Sequence, residues 1–367
     1  MDSVGMAFVG GSALGAGKSQ QVSRGVSKRE STRWRMSEVS PTAARVEVGP
    51  LKISPLGVGA WSWGDEFYWG KGSERDQKEA FFASVDAGVN FFDTAEVYAL
   101  GESERRCGRF VKSYEKDSDA NEEIIVATKF APLVPFRFNA NSVVDACKKS
   151  AERLGVDTID LYQLHFPGAF VDKAYWDGIA KCYNMGLIKA VGVSNYGPKR
   201  LQAVHRMLTR ERGVPIATNQ VLYNLVYRKP EEELMELCES LDIKILAYSP
   251  LAQGVLTGKY ETTAPPRGPR GATVRSMLSQ TENLRRVLRE ISESRDRTVA
   301  QIALNWLLMK GVIPIPGAKN RKQAEQNAGA LGWQLSDEEM ERLDDVSSLV
   351  GDVMPAMPVY TEVFVPN

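Results

Sequence analysis

Short apolar runs recur along this chain and alternate with amphipathic stretches of helical period. The apolar runs are LGVGAW from Leu56, VNFFDTA from Val89, IIVATK from Ile124 and TIDLYQLH from Thr158, followed by AVGVSN from Ala190, ATNQVLY from Ala217, KILAYSP from Lys244 and VIPIPGA from Val312. Their near-continuous apolar character predicts parallel strands covered by helices on the outside. The stretches between them predict helices, among them Glu74–Ala87, Ser142–Leu154, Tyr175–Met185, Pro230–Leu241 and Val299–Lys310. About eight β-then-α units, with no composition shift between them, predict an α/β protein. A closed (β/α)₈ TIM barrel is favoured over an open doubly wound sheet. Ahead of the barrel, RVEVGPLKIS from Arg45 predicts a short β-hairpin turning at Gly49-Pro50.

The boundaries follow from the same pattern. Residues 1–43 read as a leader, 44–350 as the barrel and 351–367 as an irregular apolar tail. Inside the barrel, the segment Gly258–Met277 is rich in Pro and Gly, basic, and too long for an ordinary connection, so it reads as a lid or binding loop. From Ser3 to Arg29 the leader has no acidic residue, carries Lys18, Arg24, Lys28 and Arg29, and is rich in Ser and Gly. That composition predicts a chloroplast transit peptide, with a plain disordered tail as the bland alternative and a cytoplasmic protein as its consequence. SALGAGKS, Ser12 to Ser19, nearly matches a phosphate-binding loop, but Ser12 replaces the first Gly and no strand precedes it.

Lys+Arg and Asp+Glu are balanced at 46 each, which argues against a general nucleic-acid or membrane-surface role. No apolar run is long enough for a transmembrane helix. Four widely spaced cysteines and two histidines offer no disulfide framework and no metal site.

Polar residues collect at the C-terminal ends of the predicted strands, where a (β/α)₈ barrel carries its chemistry. Asp93 ends the second, with Tyr98 just beyond. Lys129 ends the third, His165 the fourth, and Ser194-Asn195 the fifth. Gln220 lies on the sixth, Tyr248-Ser249 on the seventh, and Gly317-Ala318-Lys319 follow the eighth. Alone, Asp93 is equally an Asx-type turn after a strand. Together the first four residues have a chemical reading. A Tyr is a weak acid, with a pKa of about 10, that a neighbouring ammonium lowers. Lys129 supplies the charge, Asp93 holds Lys129, and His165 donates to a substrate oxygen. The set suits protonation of an oxygen as it becomes an alkoxide, with the hydride coming from a cofactor.

The motifs NFFDTAEVY with GESE after it, VATK, DLYQLH, VGVSN, AYSPLAQGVLTGK and VIPIPGAKNRKQAEQN resemble those of aldo-keto reductases, over about Val46 to Ser347. The likeness extends to plant plastid and bacterial members and to the potassium-channel β-subunit branch. It implies a (β/α)₈ barrel that binds a nicotinamide dinucleotide without a Rossmann domain and reduces an aldehyde or ketone to the alcohol. It makes Tyr98 the proton donor, tuned by Lys129 and Asp93, and His165 the group that orients the carbonyl. It places Ser194, Asn195 and Gln220 on the nicotinamide carboxamide and Tyr248 against the nicotinamide ring. Ser249, Leu251, Gln253 and Gly254 fall along the pyrophosphate. Gly317, Ala318, Lys319, Gln323, Gln326 and Asn327 fall at the adenosine phosphate.

Lys319 and Arg321, beyond the last strand, favour NADPH/NADP+ over the unphosphorylated cofactor, because Lys and Arg suit a phosphate. A solvated helix start is the bland alternative. Trp61, Phe130 and Phe166 are the candidate substrate-pocket residues. The channel-subunit likeness leaves open a cofactor-bound regulatory or binding subunit with slow turnover.

Overall fold

The computed structural model describes residues 44–70, 72–117, 123–132, 137–168 and 171–354. The predicted leader, including the stretch that imitates a phosphate-binding loop, lies outside the described residues, as does the tail beyond Met354.

β1 (Val46–Val48) and β2 (Leu51–Ile53) pair antiparallel as the predicted hairpin. Eight further strands form one parallel sheet in chain order. They are β3 (Val58–Gly59), β4 (Phe91–Asp93), β5 (Ile125–Phe130), β6 (Ile159–Leu164), β7 (Ile188–Ser194), β8 (Ile216–Leu222), β9 (Lys244–Tyr248) and β10 (Ile313–Pro314). The amides of Gly57 and Gly59 donate to the carbonyls of Pro314 and Pro316 at 2.9 and 3.0 Å, which joins the first strand to the last and closes the barrel. Glycine is required at this seam. A Cβ on Gly57 would lie 2.5 Å from the Phe91 ring, and one on Gly59 2.9 Å from the Ile315 carbonyl oxygen.

Helices cover the outside: α1 (Glu66–Trp69), α2 (Glu74–Asp86), α3 (Glu102–Asp117), α4 (Ala140–Leu154), α5 (Asp172–Asn184), α6 (Pro198–His205), α7 (Leu234–Ser240), α8 (Gly271–Gln280), α9 (Glu282–Arg295), α10 (Val299–Met309), α11 (Arg321–Ala328) and α12 (Asp337–Val350). Local chemistry fixes their starts. Ser73, Asn139, Thr298, Asn320 and Ser336 each accept an amide of the first turn, and Thr298 and Ser336 complete reciprocal capping boxes. Between α2, α3 and the sheet, Trp63, Phe81, Phe92 and Phe110 form a buried aromatic cluster.

Two expectations change. The helix expected over Pro230–Leu241 is broken into a turn at Lys229–Glu231 and α7, because Glu233 leaves helical geometry at φ −144°. The expected lid over Gly258–Met277 is irregular only as far as Arg270. From Gly271 it is α8, with Val274, Met277 and Leu278 buried at helical spacing. The start of the tail packs rather than dangles. Val353 N donates to Val226 O at 3.1 Å, and Met354 is buried.

Candidate active site

The period of two along each strand decides which side chains enter the barrel. On β5, Thr128 points outward, where its hydroxyl donates to Glu104 of α3 at 2.6 Å, while Lys129 points in. Lys129 is wholly buried, and Nζ donates to Asp93 Oδ1 at 2.5 Å and to Thr94 O at 2.7 Å. The other oxygen of Asp93 accepts from Gln163 Nε2 at 3.1 Å and Gln220 Nε2 at 2.8 Å. Thr218 Oγ1 donates to Gln163 Oε1 at 3.3 Å and so fixes that amide. Asp93 is therefore a carboxylate with both oxygens occupied, as burial of a charge demands.

Tyr98 is half-buried just outside this layer. Its hydroxyl lies 3.5 Å from Lys129 Nζ, and that ammonium is 4.9 Å from the ring centroid. The His165 ring meets Tyr98 edge-on at 5.7 Å and stacks on Phe166 at 4.5 Å. His165 Nδ1 is buried with no hydrogen-bond partner among the described residues. Trp61 lies nearly parallel to Tyr98 at 5.9 Å and to Tyr68 at 5.3 Å. Asp93, Tyr98, Lys129 and His165 thus converge, with Trp61 and Phe166 flanking them.

Phe130 does not line this opening. It is 0% exposed, its ring meets Tyr175 of α5 at 5.1 Å, and the Arg137 guanidinium lies over it. The physical reason is the strand alternation, which sends Phe130 to the helical side once Lys129 faces in.

The electrostatics differ from the expectation in one respect. Burial pushes the Tyr98 phenol up. The Lys129 charge pulls it down, Asp93 adds to the rise, and the net direction is up. The phenol is therefore held protonated, the form a proton donor needs. Burial alone would lower the Lys129 ammonium, but Asp93 and Tyr98 facing it more than reverse this. His165 is pushed well down by burial and then by Lys129, so the imidazole is neutral near pH 7.

A second constellation surrounds the ends of β7, β8, β9 and β10. Ser194 Oγ donates to Gln220 O at 2.9 Å. Asn195, at φ +63°, donates through Nδ2 to His165 O and accepts from the Tyr248 hydroxyl at 3.0 Å. Ser249, Ala252, Gln253 and Gly254 all have positive φ, so this loop curls back on itself after Tyr248. Leu251 O accepts the Gly254 amide at 2.9 Å. Gly317 O accepts from Asn327 Nδ2 at 3.2 Å, and Ala318 O accepts from the Trp63 indole at 2.7 Å. Gln323 Oε1 accepts the Lys319 amide at 2.9 Å, and the backbone carbonyl of Gln326 accepts from Gln301 Nε2 at 3.1 Å.

Cations gather at one edge of this constellation. Lys319 Nζ donates to Trp69 O, and the Arg270 guanidinium lies 4.9 Å over the Trp69 ring and donates to Gln253 O at 2.9 Å. Lys319 is pushed down by burial, then by Arg270 and Lys259. Trp69 Nε1 is buried with no acceptor among the described residues. Asp65 offsets only part of the shift on Lys319, and clustered positive charge beside an unused buried donor fits a phosphate group. Arg321 is turned elsewhere, toward Glu325 at 3.3 Å on the surface of α11.

Gln163, Thr94, Glu96 and Arg270 were not among the expected site residues. Gln163 was legible, since it lies two residues before His165 on the same strand face. Arg270 had no local signal beyond the basic character of its segment. The GESE motif proves architectural. Ser103 joins Thr94 at 2.7 Å and Ala60 O at 2.9 Å, while Glu104 pairs with Arg153 at 2.5 Å. A basic cavity of about 540 Å³ between α3 and α4, lined in part by Arg105, Lys112 and Lys149, shares no residue with the site. Among the described residues there is no metal-ligating cluster and no helix long and apolar enough to cross a membrane.

Residues 55–348 match the aldo/keto reductase family, and the chain belongs to it as an oxidoreductase. Pyridoxal reductase, chloroplastic, of Arabidopsis thaliana is 40% identical over 311 residues, 82% of this chain and 85% of that one. Among solved structures, the glycerol dehydrogenase of Gluconobacter oxydans aligns with a TM-score of 0.69 at 26% identity, covering 86% of this chain and 99% of its own. An aldo/keto reductase of Klebsiella pneumoniae, in complex with NADP and acetate, aligns with a TM-score of 0.66 at 28% identity, covering 84% and 96%.

Proposed function

We propose that this protein reduces an aldehyde or ketone to the alcohol with NADPH, and that Tyr98 gives the proton. The observation that carries the reading is a phenol held protonated with its oxygen 3.5 Å from a buried ammonium, beside a neutral imidazole. The reduced nicotinamide, when bound, supplies the hydride. The neutral His165 donates one hydrogen bond to the carbonyl oxygen and aims it at the phenol. Tyr98 passes its proton to that oxygen as negative charge develops. Lys129 stabilises the phenolate left behind, and Asp93, fixed by Gln163 and Gln220, holds Lys129 charged and in place. Tyr98 and Trp61 present apolar ring faces that shield the reacting oxygen from water.

For the cofactor, Asn195 and Tyr248 would line the nicotinamide end, and the curled loop through Gly254 would run along the pyrophosphate. Gln220 is committed to Asp93, so on this reading it acts through that carboxylate or turns its amide when the carboxamide arrives. Lys319, Arg270 and Trp69 Nε1 form the cationic edge that would take a phosphate, and they support the phosphorylated form of the dinucleotide. The Klebsiella relative solved with NADP agrees.

The substrate proposed is a planar aromatic aldehyde of the pyridoxal kind. The Tyr98–Trp61–Tyr68 ladder offers stacking faces, and the Arabidopsis relative bears that activity in its name. The plastid is proposed as its place, from the acid-poor leader and the same relative; residues 1–43 fused to a fluorescent protein should enter plastids. The reaction is tested by NADPH oxidation with the leaderless protein across an aldehyde and ketone panel. Turnover that requires a carbonyl and is lost in Tyr98→Phe supports the reading. Tight NADPH binding without turnover on any carbonyl favours the regulatory subunit instead.

A further inference from the structure

Directly after Tyr98 the backbone enters the left-handed region for three residues in a row, Ala99 at φ +48°, Leu100 at +53° and Gly101 at +86°. Non-glycine residues stay there only where their surroundings hold them. The Tyr98 hydroxyl, with one long contact to Lys129, does not hold the turn. Two residues upstream of Tyr98, Glu96 is clamped. Its side chain is 7% exposed, and both oxygens are taken. Oε1 accepts the Ala131 amide at 2.7 Å and Arg137 Nη1, and Oε2 accepts Arg137 Nη2 at 3.0 Å. Ala131 lies two residues beyond Lys129 on the same chain segment, so Glu96 ties the turn bearing the phenol to the strand bearing the ammonium. Arg137 is itself anchored, because its carbonyl accepts the Tyr175 hydroxyl of α5 at 2.6 Å.

We propose that Glu96 is a positioning residue for Tyr98: clamped by the Ala131 amide and the Arg137 guanidinium, its carboxylate holds the strained turn so that the phenol stays within reach of Lys129. The inference rests on the reductase reading for its kinetic consequence, not for its geometric one. Glu96 has no free oxygen to offer a substrate, so it acts through Tyr98. The charged or titratable groups facing Tyr98 are Lys129 from β5, Asp93 from β4, His165 beyond β6 and Tyr248 from β9, and Glu96 is not one of them.

The test uses the full chain as Glu96→Ala, Glu96→Gln and Arg137→Met. In Glu96→Ala, kcat should fall about 10- to 100-fold, the effect of a small misplacement of a reacting group. KM and NADPH affinity should stay within about twofold. Glu96→Gln keeps an acceptor for the Ala131 amide and should recover most of the loss. Arg137→Met should behave like a milder Glu96→Ala, and it serves where Glu96→Ala does not fold. A spectrophotometric titration, taken as the difference from the same protein carrying Tyr98→Phe, reads the Tyr98 midpoint without turnover. It should move downward in Glu96→Ala, toward the ordinary phenol value, as the phenol leaves its buried place, because burial outweighs Lys129 there. Folded Glu96→Ala or Arg137→Met with unchanged kcat and midpoint overturns the proposal, as does a kcat loss that only follows a loss of folded protein. Should the wild type reduce no carbonyl, the reductase reading fails alone, and the titration still decides the role of Glu96.

Discussion

Two buried clusters in this protein join a tyrosine to a charged network, and they are finished differently. Where the turn at Lys229–Glu231 meets α10 and α12, the Tyr223 hydroxyl donates to Glu231 at 2.7 Å. Arg228 grips the same carboxylate through Nε and Nη2 at 2.7 and 2.6 Å. Asp344 takes the Trp306 indole at 2.9 Å and Lys310 at 2.8 Å. Each of these polar side chains has a short, specific partner. At the barrel mouth the inner half is just as complete, with Asp93 holding three donors. The outer half is not: Tyr98 has one contact at 3.5 Å, and His165 Nδ1 has no partner among the described residues. A network closed on itself confers stability and a unique geometry. One with spare hydrogen-bonding capacity facing an opening is arranged to take something in.

That contrast can be broken by substitution, and Lys129→Met should have the largest effect. In the proposed reaction it removes the charge that stabilises the phenolate, and it strands Asp93 in the interior. Turnover should fall by about 10²-fold or more, and stability by about 3–5 kcal/mol in a denaturant titration. Tyr98→Phe should separate the two. Turnover should fall by about 10²–10⁴-fold, while stability moves by less than about 1 kcal/mol, since little bonding is lost. Because the net shift of Tyr98 is upward, wild-type reduction should hold through neutral pH and decline only as alkali removes the phenol proton.

Glu231→Gln should do the reverse of Tyr98→Phe. Stability should drop by about 2–3 kcal/mol as Arg228 loses its carboxylate, with kcat of the folded enzyme unchanged. Burial raises the Glu231 carboxyl, but Arg228, Lys310 and Tyr223 outweigh it and the net is lowered. Its contribution is therefore present above the ordinary carboxylate range and lost as pH falls through the lowered value. The stability gap between wild type and Glu231→Gln should close in acid. Tyr223→Phe should have the smallest effect, about 1–2 kcal/mol of stability and none on turnover. A loss of kcat there would break the distinction between the two clusters.

Much of this was legible along the chain, for a reason that differs from element to element. The eight strands show themselves because strands buried on both faces must be apolar almost throughout. Asp93, Lys129 and His165 stand out for the same reason, as polar residues ending such runs. Where the sequence misled, non-local contacts prevailed. Glu233 leaves the expected helix beside a carboxylate, Glu231, that is drawn into bonds with Arg228 and Tyr223. Phe130 follows a polar strand end as Phe166 does, yet Lys129 claims the inward position and turns it to the helices. The Tyr98 pKa was expected to fall, and it rises because burial, a property of the assembled fold, outweighs the one charge the sequence could supply.

The sequence by itself determined the repeating β-then-α order, the caps that start the helices and the rim on which polar residues gather, because these depend on periodicity and neighbouring residues. Only the tertiary structure decided that two distant glutamines share Asp93, that Lys319 and Arg270 meet at Trp69, and that Glu96 ties the Tyr98 turn to the strand of Lys129. Those contacts join segments far apart in the chain, and hydrogen-bond and Coulomb energies depend on distance in space, which no local pattern of residues records.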